Sequence, residues 1–149
     1  MSPEVRLMIG VREAWNENGT LTELVPGGLR EGRLPISSPD AATLKRPYAQ
    51  LMVTEGDKEF FSSTDYLQKF AVAIKVYDEP GRGTVKAGDH QTATALTLDW
   101  DGVTVHSAKV VWVKPVTGEL KEDERTREGK DVIVAMMNWE VTLQLVRPR

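Results

Sequence analysis

Apolar and polar residues alternate most cleanly near the end of the chain. Within residues 130–146, Ile133, Ala135, Met137, Trp139, Val141, Leu143 and Leu145 hold every second position, with Asn138, Glu140, Thr142 and Gln144 between them. In an extended chain the first set shares one face and the second set the other, which predicts a long one-sided strand. Typical strands run about 5–6 residues, so this one is expected to reach beyond a single small sheet or to form part of an assembly surface. Its first half adds Val132, Val134 and Met136, which make the outer face apolar as well.

Two earlier stretches carry the same period. Residues 48–54 set Ala49, Leu51 and Val53 against Tyr48, Gln50 and Met52, and residues 66–77 set Phe70, Val72, Ile74 and Val76 against Lys69, Ala71, Ala73 and Lys75. Both predict strands, and the turn chemistry of Glu55-Gly56-Asp57-Lys58 between them makes an antiparallel pair the simplest topology. A further short strand is expected at residues 110–113, carrying Trp112.

The start of the chain follows the helical period. Leu7, Met8, Val11, Ala14 and Trp15 fall in a stripe about 120° wide at about 3.6 residues per turn, while Arg6, Glu13 and Glu17 point away. Ser2-Pro3-Glu4 suits the N-terminus, because Ser accepts orphan N–H groups, Pro fits the first turn and Glu complements the positive helix end. Asn16-Glu17-Asn18-Gly19 is the expected stop, since Asn and Gly tolerate the left-handed conformation that closes many helices. Residues 21–24 form a short further turn in this reading.

Glycine and proline break up residues 26–35, which read as an irregular surface excursion continuing through Ser37-Ser38-Pro39-Asp40. Residues 84–100 admit two readings. Val85, Thr92, Ala93, Leu96 and Trp100 line one helical face although the threonines lower helix propensity. Alternatively Leu96, Leu98 and Trp100 enter a hairpin that turns at Asp101-Gly102 and returns through Val103 and Val105. A long loop or hairpin excursion is expected at about 116–131, where both signs of charge mix. Its Glu122, Asp123, Arg125 and Arg127, with Val132, Val134 and Met136, are the candidate subunit or partner interface.

These elements predict one α+β domain over residues 1–149: a twisted antiparallel sheet of about four or five strands, with the N-terminal helix and a second, weaker helix packed on it. A chain of 149 residues, 40% hydrophobic and 28% charged, is long enough for one core. No apolar run approaches the roughly 20 residues of a membrane span, and Met1-Ser2-Pro3-Glu4 lacks the start of a signal peptide. Nineteen basic against 22 acidic side chains give a net charge of −3, the wrong balance for gripping nucleic-acid phosphates. The absence of cysteine removes disulfides, thiol nucleophiles and thiolate metal sites.

Chemistry finds little to start from. Gly27 to Gly32 is followed by Arg33-Leu34, where a phosphate-binding loop needs Lys and then Ser or Thr. His90 and His106, the only two histidines, sit in no zinc-ligand spacing. Asp99 and Asp101 could share a strand face as an acid–base pair, but Asp-Gly is also the preferred turn pair. Trp15, Trp100, Trp112 and Trp139 are expected to be core or interface residues. Catalytic, cofactor and metal sites are therefore all expected to be absent.

The order of elements resembles the tail-terminator, or tail-completion, family of long-tailed bacteriophages. The resemblance rests on the N-terminal helix with Val11 and Trp15, the loop from Pro26 to Pro35 leading to Pro47-Tyr48, the strand from Phe70 to Val76, the weak helix before Leu96, and the closing strand from Trp139 to Leu145. It spans nearly the whole chain and is marked by an order of elements, not by an invariant motif. It implies a structural, non-enzymatic virion protein, assembled in the bacterial host cytoplasm as a ring, commonly hexameric. That ring caps the tail tube, ends its polymerisation and joins it to the head connector. The implied partners are further copies of the chain, the major tail tube protein and the head-completion protein, with DNA only passing through the lumen and no membrane. Two alternatives stand beside it: a head-completion or stopper protein of the neck, and a small ligand-binding or enzymatic domain using Asp99, Asp101 and His106.

Overall fold

The computed structural model describes residues 1–31, 48–60, 63–78, 98–119 and 132–147. Helix α1 (Pro3–Asn16) begins as its sequence requires, with the Ser2 hydroxyl accepting from Val5 N at 3.3 Å and proline in the first turn. Its end differs from the expected left-handed cap. Glu17 stays right-handed, and Asn18 instead caps α2 (Gly19–Leu24), its Oδ1 accepting from Thr20 N at 3.1 Å and Leu21 N at 3.2 Å. A side chain that satisfies two orphan donors of a new helix is held away from the conformation that merely ends the old one.

Five strands make one sheet in the order β1-β2-β3-β5-β4: β1 (Leu29–Arg30), β2 (Tyr48–Phe60), β3 (Asp65–Asp78), β4 (Ala108–Glu119) and β5 (Val132–Val146). The four long strands pair antiparallel, and β1 lies parallel to β2 through Leu29 opposite Ala49 and Arg30 opposite Gln50. The sheet is thus mixed at one margin. Residues 26–35 are not wholly irregular, because Gly28 at φ +82 turns the chain so that Leu29 is buried beside β2.

Three stretches are more regular than their turn residues suggest. Glu55-Gly56-Asp57-Lys58 is a bulge inside β2, not a turn, and pairing with β3 resumes at Lys58 opposite Gln68 and continues to Phe60 opposite Tyr66. The expected strand at 110–113 grows to Ala108–Glu119, taking in Thr117-Gly118-Glu119. Residues Trp100–Gly102 form a single 3-10 turn, and Val103 and Val105 are buried without strand pairing, so the hairpin reading fails there. Asp99 is the reason: its Oδ1 accepts from Asp101 N at 3.0 Å and closes the turn locally. Residues 84–97, where a helix is the other reading, lie outside the described residues.

The core fills one face of the sheet. Leu7, Val11 and Trp15 of α1 pack with Leu51 of β2, Ile74 of β3 and Leu143 of β5, all fully buried. Register carries each apolar row across the strands, as in Val53 opposite Val72 and Val72 opposite Trp139. Leu98, Val103 and Val105 complete the cover, and Trp100 meets Trp139 edge to face at 5.5 Å. α1 crosses this segment so closely that a Cβ on Gly10 would stand 2.5 Å from the Thr104 carbonyl oxygen.

Candidate assembly surface

The opposite face has a different character. Tyr48 and Tyr77 stack there at 5.2 Å and are buried as a separate pair, with the Tyr77 hydroxyl donating to Gln50 Oε1 at 3.0 Å. Beyond them the surface opens: Met52, Ala73, Asn138 and Val116 form one cross-strand row, and Thr54, Ala71, Glu140 and Lys114 the next. Lys69 reaches Glu140 at 3.7 Å, an exposed ion pair whose contribution to stability is small. A shallow groove of about 450 Å³ follows the first two rows.

Exposed apolar side chains gather on β4 more than on any other described strand. Val111, Trp112 and Val116 all stand out, with Trp112 60% exposed. A bulge is responsible. Val110 pairs with Leu143 and Trp112 with Thr142, leaving Val111 as the extra residue. The bulge shifts the alternation by one, turning Trp112 outward and returning Val113 to the core side. Simple alternation from Val110 would have buried Trp112.

Among the described residues β4 is also an edge strand, with its partner β5 on one side only. Lys109, Lys114 and Pro115, together with two register shifts, are the devices that keep an edge from pairing indiscriminately. A groove of about 470 Å³ runs between residues 103–105 and residues 108–113. No β5 residue lines it, so it lies along the outward margin of β4. Trp100, whose buried Nε1 has no hydrogen-bond partner among the described residues, also lines it.

The second margin is β2. β1 covers it only at Ala49 and Gln50, and among the described residues no strand pairs with the outer side of residues 51–60. Glu55, Asp57, Lys58 and Glu59 are exposed on that stretch. At its end Phe60 packs on Tyr66 at 5.2 Å and lies under the Arg147 guanidinium at 4.3 Å.

Of the residues expected to make the interface, only those on β5 fall among the described residues. Glu122, Asp123, Arg125 and Arg127 lie outside the described residues. Val132 pairs with Asp78 and Met136 with both Lys75 and Glu119, so residues 132–136 run along β3, and among the described residues β4 pairs with β5 only from Met136 onward. Val134 is the residue skipped where Val76 pairs with Ala135 and Tyr77 with Ile133, so the long alternation of the last strand is interrupted there. Its length was legible, and its first residues pair with β3 of the same protomer. The edge and the outward Trp112 were missed, although Lys109, Lys114 and Pro115 in one strand are an edge signature readable in sequence.

The acid–base candidates are occupied otherwise or simply exposed. Asp99 caps the 3-10 turn, Asp101 is its exposed middle residue, and exposed His106 lends its carbonyl to Arg6 Nη1 at 2.8 Å. His90 lies outside the described residues. Among the described residues no three acidic or histidine side chains gather as a metal site, and no helix is long and apolar enough to cross a membrane. Neither a family model nor a curated protein matches the chain.

Proposed function

We propose that this chain is a ring-forming structural virion protein of the tail-terminator kind, which caps a phage tail tube, stops its polymerisation and provides the joint to the head connector. The observation that carries the reading is the β4 margin: an open edge bearing Trp112, Val111 and Val116 on a sheet whose core is already filled from the other face. Apolar side chains clustered at an open margin suit a surface made to be covered. The order of elements supports it, from an N-terminal helix through a glycine-rich connector to long paired strands and a closing strand.

A ring needs two different surfaces per subunit, and its rotation must close. A sheet with two unlike open margins supplies them. The net charge of −3 also suits a lumen through which DNA moves without being held, because phosphates are not drawn to it. The protein then belongs to the virion, at the junction of tail and neck, with the tail tube protein and the head connector as its partners.

Purified protein is expected to sediment as a closed oligomer, to appear as rings by negative-stain microscopy, and to halt tube growth when added to polymerising tail tube protein. A chain that stays monomeric and leaves tube length unchanged would sink the proposal.

A further inference from the structure

We propose that the outer edge of β4 pairs antiparallel with residues 51–60 of β2 in a second copy, so that the protomers share one continuous sheet. This rests on the ring-forming reading above and names the two surfaces that make the ring.

Strand parity is the first argument. β2, β3, β5 and β4 alternate in direction, so β4 runs opposite to β2 within one protomer. A copy placed beside β4 by rotation keeps its own strand directions relative to the sheet. Its β2 therefore arrives antiparallel to β4, in the more stable ladder geometry, without any strand having to reverse. With an odd number of antiparallel strands the same placement would force a parallel junction.

Charge is the second. The only charged residues of β4 before Glu119 are Lys109 and Lys114, both exposed. Residues 51–60 carry Glu55, Asp57 and Glu59 against the single Lys58, all exposed. Two surplus positive charges face two surplus negative ones. Two copies of β4 meeting edge to edge, or two copies of β2, would instead juxtapose like charges, so the charge pattern selects the unlike pairing that builds rings over the like pairing that builds closed dimers.

The third argument is space. The groove along the outer margin of β4, walled by residues 103–105, leaves room for an extended segment beside Ala108 to Val113. The bulge that turns Trp112 outward sets an aromatic anchor at this margin, on the same face of the sheet as the half-buried Met52 of β2. Main-chain hydrogen bonds would give the junction its affinity and the lysines its choice of partner.

Two charge-reversed proteins test this, Lys109→Glu with Lys114→Glu, and Glu55→Lys with Glu59→Lys, each followed by sedimentation velocity, with circular dichroism and thermal melting to confirm folding. Each alone is expected to associate on the order of 100-fold more weakly than the parent, as like charges at an interface require. Mixing the two is expected to restore the oligomer, because each then offers the margin that the other lacks, in alternating order. Folded variants that both assemble as the parent does would overturn the proposal while leaving the ring reading intact. Mixtures that stay dissociated would overturn it too. A parent chain that remains monomeric at high concentration would overturn both. If mixing restores assembly but the rings have no effect on tail tube growth, the edge pairing stands and the tail-terminator role falls.

Discussion

Trp139 and Trp112 lie on neighbouring strands of one sheet and meet opposite fates. Trp139, on central β5, has strands on both sides and Trp100 against its ring, and is 4% exposed. Trp112, on edge strand β4, is turned by a one-residue bulge to the face that α1 does not cover and is 60% exposed. The two side chains are the same, so hydrophobicity does not explain the difference. Position in the sheet and the parity of the strand decide it. The buried one holds the protomer together, and the exposed one contributes little to it.

The sharpest way to test that contrast is to truncate both tryptophans. Trp139→Ala is expected to cost about 3–5 kcal/mol, the range for a large aromatic lost from a packed core, measured by urea denaturation. A loss below about 1 kcal/mol would show that the β5 row is not the centre of the core. Next in size is Gly10→Ala. Alanine is favoured over glycine in a helix by about 0.8–1.0 kcal/mol, but the added Cβ would stand 2.5 Å from the Thr104 oxygen. Overpacking costs of about 1–3 kcal/mol should win, and a stabilised variant would mean that α1 and the 98–105 segment are not in contact.

Gln68 marks a flaw on the core face. It is 1% exposed, opposite Leu143, and neither amide atom has a hydrogen-bond partner among the described residues. An apolar side chain of similar size removes that desolvation penalty. Gln68→Leu is therefore expected to raise stability by about 1 kcal/mol, seen as a higher denaturation midpoint with an unchanged slope. A loss of similar size would show that the amide is satisfied in solution. The smallest effect on folding is expected for Trp112→Ser, within about 0.5 kcal/mol as for other exposed sites. Its effect should appear in self-association, which weakens measurably by sedimentation. If folding stability falls as far as in the Trp139 variant, the comparison between the centre and the margin of the sheet is wrong.

Much of the fold was legible because it is written in short-range periods. The cap Ser2-Pro3-Glu4 and the stripe from Leu7 to Trp15 locate α1, and alternation locates β2, β3 and β5 with their buried sides from Ala49 to Val53, Phe70 to Val76 and Met137 to Leu145. The errors fall where a strand contains a residue that breaks its own rule. Gly56 and Asp57 have turn chemistry, yet the pairing of Phe60 with Tyr66 continues the ladder past them, so the chain bulges and does not turn. Asp101-Gly102 has hairpin chemistry, yet Asp99 caps a 3-10 turn there.

Of the assembly surface, the sequence carried the ingredients without the arrangement. The lysines, the proline and the tryptophan of β4, and the acids of β2, can all be read from the chain, as can the unusual length of the last strand. Neighbour relations are long-range, and a strand does not carry in its own residues the information that it lies at a margin or in the middle. Only the tertiary structure decided that β5 sits between β3 and β4, its first residues paired along β3, and that among the described residues β2 with its acids and β4 with its lysines are the open margins. Periodicity determines which face of an element is apolar, because it depends on residues two to four apart. Which apolar face finds a partner within the protomer depends on the order of strands, and that is settled by packing across the whole sheet.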